Sequence, residues 1–165
     1  VTGEPIEPIR LGPDGRRHVA GAVLWRADGT VLLQHRDDDP AIVEPGKWSL
    51  FGGGVDVCES PLDAVLREVE EEIGYRLKAL RPLIVIEGKH QVYDLYLAAI
   101  DAPLETLQLN EGQGFAYVTP ERALSELDLA DVARLALTAA VMVVEQRAKD
   151  GFTTAFDDWP TTDTA

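Results

Sequence analysis

The sequence predicts an α/β fold of three layers, a mixed β-sheet sandwiched between helices. Two observations carry that prediction. Runs rich in Val, Leu, Ile and aromatic residues recur at 18–25, 31–35, 48–51, 81–87, 90–100 and 115–118, the composition of strands. Between and after them, two segments repeat apolar residues at steps of three and four. One carries Leu62, Val65, Leu66, Val69 and Ile73; the other carries Val132, Leu135, Ala136, Ala139 and Val143. Each is an amphipathic helix with one face for a core. Strands interleaved with such helices belong to a layered α/β domain. A chain of 165 residues that is 45% hydrophobic suits one domain, assigned to 16–150 between an N-terminal arm (1–15) and a C-terminal tail (151–165).

In chain order, 1–15 holds three prolines and two of its glycines sit near the end, which reads as an extended arm. Arg26-Ala27-Asp28-Gly29 is a turn with an Asp-Gly signal, so 18–25 and 31–35 form a hairpin. Residues 36–48 carry two prolines and four acids and read as a long surface loop; loops of that length tend to be functional. The strand at 48–51 leads into Gly52-Gly53-Gly54, read as a tight strand-to-helix loop. Ser60, Pro61 and Asp63 supply a hydroxyl cap, a proline where no amide hydrogen is needed and a carboxylate at the positive end of the dipole. Gly74 is the stop. Segments 81–87 and 90–100 pair antiparallel around Gly88, a short helix covers 120–127, and a long one covers 131–149. The tail is polar and punctuated by proline.

A net charge of −14 argues against long nucleic acids, whose affinity comes mainly from Lys and Arg on phosphates. It leaves a nucleotide open, because a bound cation inverts the local field. One cysteine, Cys58, cannot form an internal disulfide and fits a reducing, cytoplasmic setting. The first residues lack a basic start followed by an apolar run, and the longest apolar stretch, 135–144, falls far short of the ~20 residues that span a bilayer. No membrane partner is expected; a homodimer is the assembly left open.

The helix at 61–73 carries Glu68, Glu71 and Glu72, expected opposite its apolar stripe. Like charges at such spacing destabilise a helix by roughly 0.2–0.5 kcal/mol per pair. A hard divalent cation with oxygen ligands offsets that, and Mg²⁺ suits a segment without imidazole ligands. A solvated acidic face is the competing reading of Glu70-Glu71-Glu72.

Taken whole, 53–75 resembles the Nudix box: glycine, five residues, glutamate, seven residues, Arg-Glu, an apolar residue, any residue, Glu-Glu, any residue, glycine, an apolar residue. Gly53, Glu59, Arg67, Glu68, Val69, Glu71, Glu72, Gly74 and Tyr75 hold those nine places. The resemblance implies an α/β/α hydrolase that cleaves a diphosphate linked to another moiety with Mg²⁺ or Mn²⁺. It implies Glu68, Glu71 and Glu72 as metal ligands, Arg67 as the residue that orients a carboxylate, and a glycine carbonyl at Gly52 or Gly53 as a further ligand. Glu59 is then the ion-pair partner of Arg67. Cys58 stands where relatives usually carry glycine, so φ at this position is the backbone feature the resemblance leaves open.

Hydrolysis also needs a base. Several relatives place a Glu-Gly in a loop before a strand, which here is Glu111-Gly112, as metal ligand or base; Glu68 is the rival, and a plain turn is the other reading of Glu111. Arg67 and Glu71 also suit an i, i+4 surface pair. His90, Asp94 and Tyr96 share one face of a strand, and Trp48, Tyr93 and Tyr96 suit either base stacking or a core. The substrate-binding set is Arg36, Trp48, His90 and Tyr96, and the substrate a nucleoside triphosphate or nucleotide sugar. Three other classes compete: a catalytically silent nucleotide-binding module, an isopentenyl-diphosphate-isomerase-like enzyme using Cys58, and an acidic Ca²⁺-dependent interaction domain.

Overall fold

A computed structural model describes residues 11–152, 154 and 156, so most of the N-terminal arm and of the tail lies outside the described residues. The strands are β1 (Arg17–Trp25), β2 (Val31–His35), β3 (Trp48–Ser49), β4 (Phe51–Gly54), β5 (Leu80–Glu87), β6 (Gln91–Ala99) and β7 (Gly114–Val118). The helices are α1 (Pro61–Ile73), α2 (Pro120–Glu126) and α3 (Asp131–Lys149), with one 3-10 turn at Leu104–Thr106. The seven strands make one sheet in the order β3-β2-β1-β6-β5, with β4 also on β1 and β7 on β2. It is mixed because β1 and β6 run parallel from Arg17 opposite Gln91 to Trp25 opposite Ala99, while the other strand pairs are antiparallel.

Alternation along β1 divides the core in two. Ala20, Ala22 and Leu24 face α1 and pack with Phe51, Val65, Val69 and Ile73. Val23 and Trp25 face α3 and pack with Leu33, Leu97, Ala133, Ala136, Leu137 and Ala140. The sandwich expected from the sequence is therefore present. Among the described residues no helix is long and apolar enough to cross a membrane.

Four sequence expectations need correction. The hairpin is short: β1 meets β2 only at Leu24–Leu32 and Trp25–Val31, because the rest of that edge of β1 is taken by β4. The strand expected at 48–51 is two strands broken at Leu50, and Gly52-Gly53-Gly54 belong to β4 rather than to a loop. In α3 the buried stripe is Ala133, Ala136, Leu137 and Ala140, one position round from the predicted one, and Leu135 is exposed. In α1 the buried face is Ala64, Val65, Val69, Glu72 and Ile73, so Glu72 lies with the apolar stripe and not opposite it. Positions 65, 69 and 72 are separated by four and three residues, and that spacing puts them on one side.

The ends of α1 follow its sequence signals. The Ser60 hydroxyl accepts from the Asp63 amide at 3.1 Å, and Gly74 closes the helix at φ 66° with its N–H on the Glu70 carbonyl. The turn before it is less ordinary, since Cys58 sits at φ 66°. The left-handed backbone persists without glycine, which costs an L-residue roughly 1–2 kcal/mol. Glycine gives back about 0.5–1 kcal/mol through the freer unfolded chain. Cys58→Gly is therefore expected to raise the melting temperature by about 1–3 °C, since about 1 kcal/mol moves a domain of this size by 2–4 °C. Scanning calorimetry checks this, and an unchanged or lower value would show that the turn has adapted to Cys58.

Candidate active site

The site is organised by α1 lying across β4. Glycine is required where the two meet. A Cβ on Gly53 would come within 2.5 Å of the Glu68 carboxyl carbon, and one on Gly52, at φ 138°, within 2.2 Å of the Ala20 carbonyl oxygen. With hydrogens there instead, the backbone reaches the carboxylates: the Gly52 amide donates to Glu72 Oε2 at 2.9 Å. Gln34, 3% exposed in β2, donates from Nε2 to Glu72 Oε1 and to the Glu111 carbonyl, both at 3.4 Å.

Glu72 is 4% exposed. Burial is the largest influence on it and the charge of Glu111 adds to that, so its pKa is pushed up to about 8 despite the Gly52 and Gln34 hydrogen bonds, which pull it down. Burial also raises Glu68, with Arg67 opposing and Glu71 and Glu111 adding to the rise. Glu111 is thus close enough to act on both carboxylates. Its loop is tied to the end of α1, where the Asn110 amide donates to the Glu72 carbonyl at 3.1 Å and Asn110 Nδ2 donates to the Glu71 carbonyl at 2.8 Å. Gly112, at φ 82°, lets the chain pass His35, whose carbonyl a Cβ would meet at 2.7 Å.

Arg67 holds the outer side. Its Nε and Nη2 donate to the two oxygens of Glu59 at 2.8 and 3.0 Å, Nη1 donates to Glu68 at 2.7 Å and Nη2 to the Gly54 carbonyl at 3.0 Å. Such a two-pronged charge-assisted pair fixes direction as well as distance. The Glu59 hydrogen bond is the main reason the Arg67 pKa is raised and the Glu59 pKa lowered. The pair with Glu71 is looser at 3.3 Å, and the Glu71 side chain is 62% exposed. Both readings of Arg67 hold together: it positions carboxylates and also makes the i, i+4 contact.

Among the described residues no three His, Cys, Asp or Glu side chains are placed so that together they could hold a metal ion. The donor set nevertheless fits a hard cation. Buried Glu72 and half-buried Glu68 are like charges whose pKa values both rise with Glu111 beside them, a strain that a divalent cation with oxygen ligands would relieve.

A cleft of about 370 Å³ opens beside this cluster and includes Gly52, Gly53, Arg36, Arg17, Gln91 and Tyr93 in its lining. Of the substrate-binding set, only Arg36 lines it. Trp48 is stacked on His35, ring centroids 4.8 Å apart, and packs on the α3-side core. Tyr96 points to the α1-side core, His90 is exposed, and neither lines the cleft. The reason is strand parity: on β6 the residues facing the cleft are Gln91, Tyr93 and Leu95, the opposite face from Tyr96. Sequence reasoning also missed Gln34, whose signal is a lone amide inside the apolar strand VLLQH. Nothing in the sequence marks Arg17 or Gln91.

The fold and the glutamate-bearing helix agree with comparisons to known proteins. The NUDIX domain family matches residues 15–139. Nucleoside triphosphatase NudI of Escherichia fergusonii is 34% identical over 120 residues, covering 64% of this chain and 84% of that protein. RNA pyrophosphohydrolase of Gluconacetobacter diazotrophicus is 47% identical over 62 residues, and that match spans only 36% of each protein. Among solved structures, a MutT NUDIX hydrolase from Burkholderia pseudomallei superposes with a TM-score of 0.64 at 29% identity, covering 75% of this chain and 97% of that one. A mutT/nudix family protein from Listeria innocua gives 0.68 at 25% identity, covering 84% and 98%. The chain belongs to the Nudix family of hydrolases, which act on acid anhydrides.

The raised pKa of Glu72 makes stability depend on pH. In the unfolded chain the carboxyl ionises near 4.5, and in the folded protein near 8. Between those values the folded state holds the extra proton, so stability falls as pH rises and the loss is complete above about 8. Without divalent cation, the melting temperature of the parent is expected to fall relative to Glu72→Gln across pH 4.5–8. Saturating Mg²⁺ should flatten the difference. Parallel melting curves for the two proteins, without cation, would refute the assignment.

Proposed function

We propose that this chain hydrolyses the phosphoanhydride of a nucleoside triphosphate or nucleotide sugar, using Mg²⁺ or Mn²⁺ and an activated water. The observation that carries the reading is the gathering of Glu68, Glu72 and Glu111 around Gly52 and Gly53 at the edge of the cleft. Glu68 and Glu72, with Glu71 on the outer side and a glycine carbonyl of Gly52 or Gly53, are the groups to hold the cation. When bound, such a cation neutralises charge on phosphate oxygens and lowers the pKa of its water. The chain supplies the rest. Arg67 keeps Glu68 and Glu59 in place, Gln34 and the Gly52 amide keep Glu72 aimed, and Glu111 takes the water proton, with Glu68 as the rival base. Arg36 is the substrate contact from the cleft wall.

Support for a nucleotide substrate comes from the nucleoside triphosphatase similarity over most of the domain. The net charge of −14 favours a mononucleotide over long RNA, and the single cysteine is compatible with a cytoplasmic setting. The isomerase reading is weakened because Cys58 is exposed and does not line the cleft.

The test combines turnover with product analysis. Glu72→Gln and Glu68→Gln should each lower kcat by at least about 10², the scale of losing a principal charge-stabilising group, with circular dichroism unchanged. Hydrolysis in ¹⁸O water should require Mg²⁺ or Mn²⁺ and place label in a phosphate product. Label in a sugar would indicate attack at carbon, and turnover by both variants at the parent rate would remove the site assignment. Cation binding with no turnover of any diphosphate would leave a binding module.

A further inference from the structure

Cations are scarce in this chain, 15 Lys and Arg against 29 Asp and Glu, and many of them are visibly engaged. Arg16 pairs with Asp14 and Glu87, Arg26 with Asp28, Lys47 with Glu44, Arg67 with Glu59 and Glu68, and Arg122 with Glu126. Two arginines outside that set, Arg17 and Arg36, line the cleft. Arg17, half-buried at the start of β1, makes no side-chain hydrogen bond or ion pair within the described residues; its backbone amide is held by the His90 carbonyl at 3.0 Å. Arg36, just past the end of β2, donates only from Nη2 to the Val43 carbonyl at 2.9 Å, and its buried Nε has no partner. Because β1 and β2 are antiparallel, the start of one and the end of the other fall at the same end of the sheet.

An unpartnered guanidinium in a strongly acidic chain is a conspicuous use of a scarce charge. A buried N–H without a partner calls for a ligand, and a guanidinium fork matches phosphate oxygens. Beside Arg17 the wall continues with donors: the Tyr93 hydroxyl donates to the Gln91 carboxamide oxygen, which leaves the Gln91 amide hydrogens available to a ligand. The nearest acid in the wall, Glu44, is already neutralised by Lys47 at 3.0 Å and by the Asp131 amide at 3.1 Å.

We infer that Arg17, with Arg36, is a specificity-determining clamp that binds an anionic group of the substrate beyond the pair of phosphates at the carboxylate cluster, so that the chain selects a nucleoside triphosphate over a nucleoside diphosphate linked to a neutral sugar. The inference rests on the hydrolase reading above and narrows it. An uncharged sugar leaves both guanidinium groups without an anionic partner; a third phosphate supplies one.

The experiment compares kcat/KM for a nucleoside triphosphate and a nucleoside diphosphate hexose in the parent, Arg17→Ala, Arg17→Lys and a control at the exposed last turn of α3, Lys149→Ala, with calorimetric binding of inorganic tripolyphosphate in Mg²⁺ as an activity-independent readout. The parent should favour the triphosphate. Arg17→Ala should cut the triphosphate-to-sugar preference at least tenfold, chiefly through KM, and weaken tripolyphosphate at least tenfold. Arg17→Lys should recover part of both, and Lys149→Ala should shift neither. An equal loss on both substrates would assign Arg17 to the nucleoside they share and overturn the clamp, as would a parent that prefers the sugar substrate or an Arg17→Ala protein with unchanged tripolyphosphate affinity. If the parent turns over neither substrate, the hydrolase reading fails, whereas the tripolyphosphate comparison still decides the clamp.

Discussion

Glu72 is a carboxylate placed on the core face of a helix, and much of the local architecture is arranged around that burial. An ionised carboxylate without partners inside a protein costs several kcal/mol. Here two strands meet the cost from different directions. The amide of Gly52 reaches Oε2 from β4, and Gln34 reaches Oε1 from β2. The Gly52 contact depends on β4 pairing with β1 beneath α1, so the register from Val19–Gly54 to Ala22–Phe51 and the position of the carboxylate are one constraint.

The partners are still too few for the charge, as the upward shift of the pKa to about 8 shows. Glu68 shares the deficit and Glu111 deepens it. Arg67 does not cancel it: its strongest geometry is spent on Glu59, with one Nη1 hydrogen bond to Glu68 and none to Glu72. The protein thus keeps a cation at the rim to orient the glutamates and leaves the interior short of positive charge. That imbalance distinguishes the cluster from a closed salt-bridge network and is what the proposed cation would relieve.

Much of this was legible in the sequence. Ser60, Pro61 and Gly74 fixed the ends of α1 because caps are local chemistry, and the spacing of Glu59, Arg67, Glu68 and Glu72 named the cluster before any geometry. What failed depended on packing or on parity. Leu135 looked like a core residue and Ala133 did not, yet the small side chain is the buried one, because α3 lies close on the sheet. Glu72 was placed with the solvent face by its charge, although its spacing from Val65 and Val69 puts it inside. Tyr96 and Tyr93 are both aromatic and β-rich in context, and only the register of β6 on β1 decides which one faces the cleft. Arg17 has no local signal, since its importance lies in the absence of a partner, which is a property of the folded surface.

The glycines of β4 connect two sides of the sheet that would otherwise be separate. Glu68 and Glu72 come from α1, on one face; Leu95, Ala133 and the arginines of the cleft belong to the other. A strand with ordinary side chains would put a layer between them. Gly52 and Gly53 contribute only backbone, and the same two residues touch the carboxylates and line the cleft. On the proposed function, a phosphate chain lying in the cleft would meet the acidic cluster at these glycines. Any side chain at Gly53 would occupy the space of the Glu68 carboxylate itself, so Gly52 and Gly53 are required by the joining of cleft to cluster, whereas a Cβ at Gly54 would meet open space.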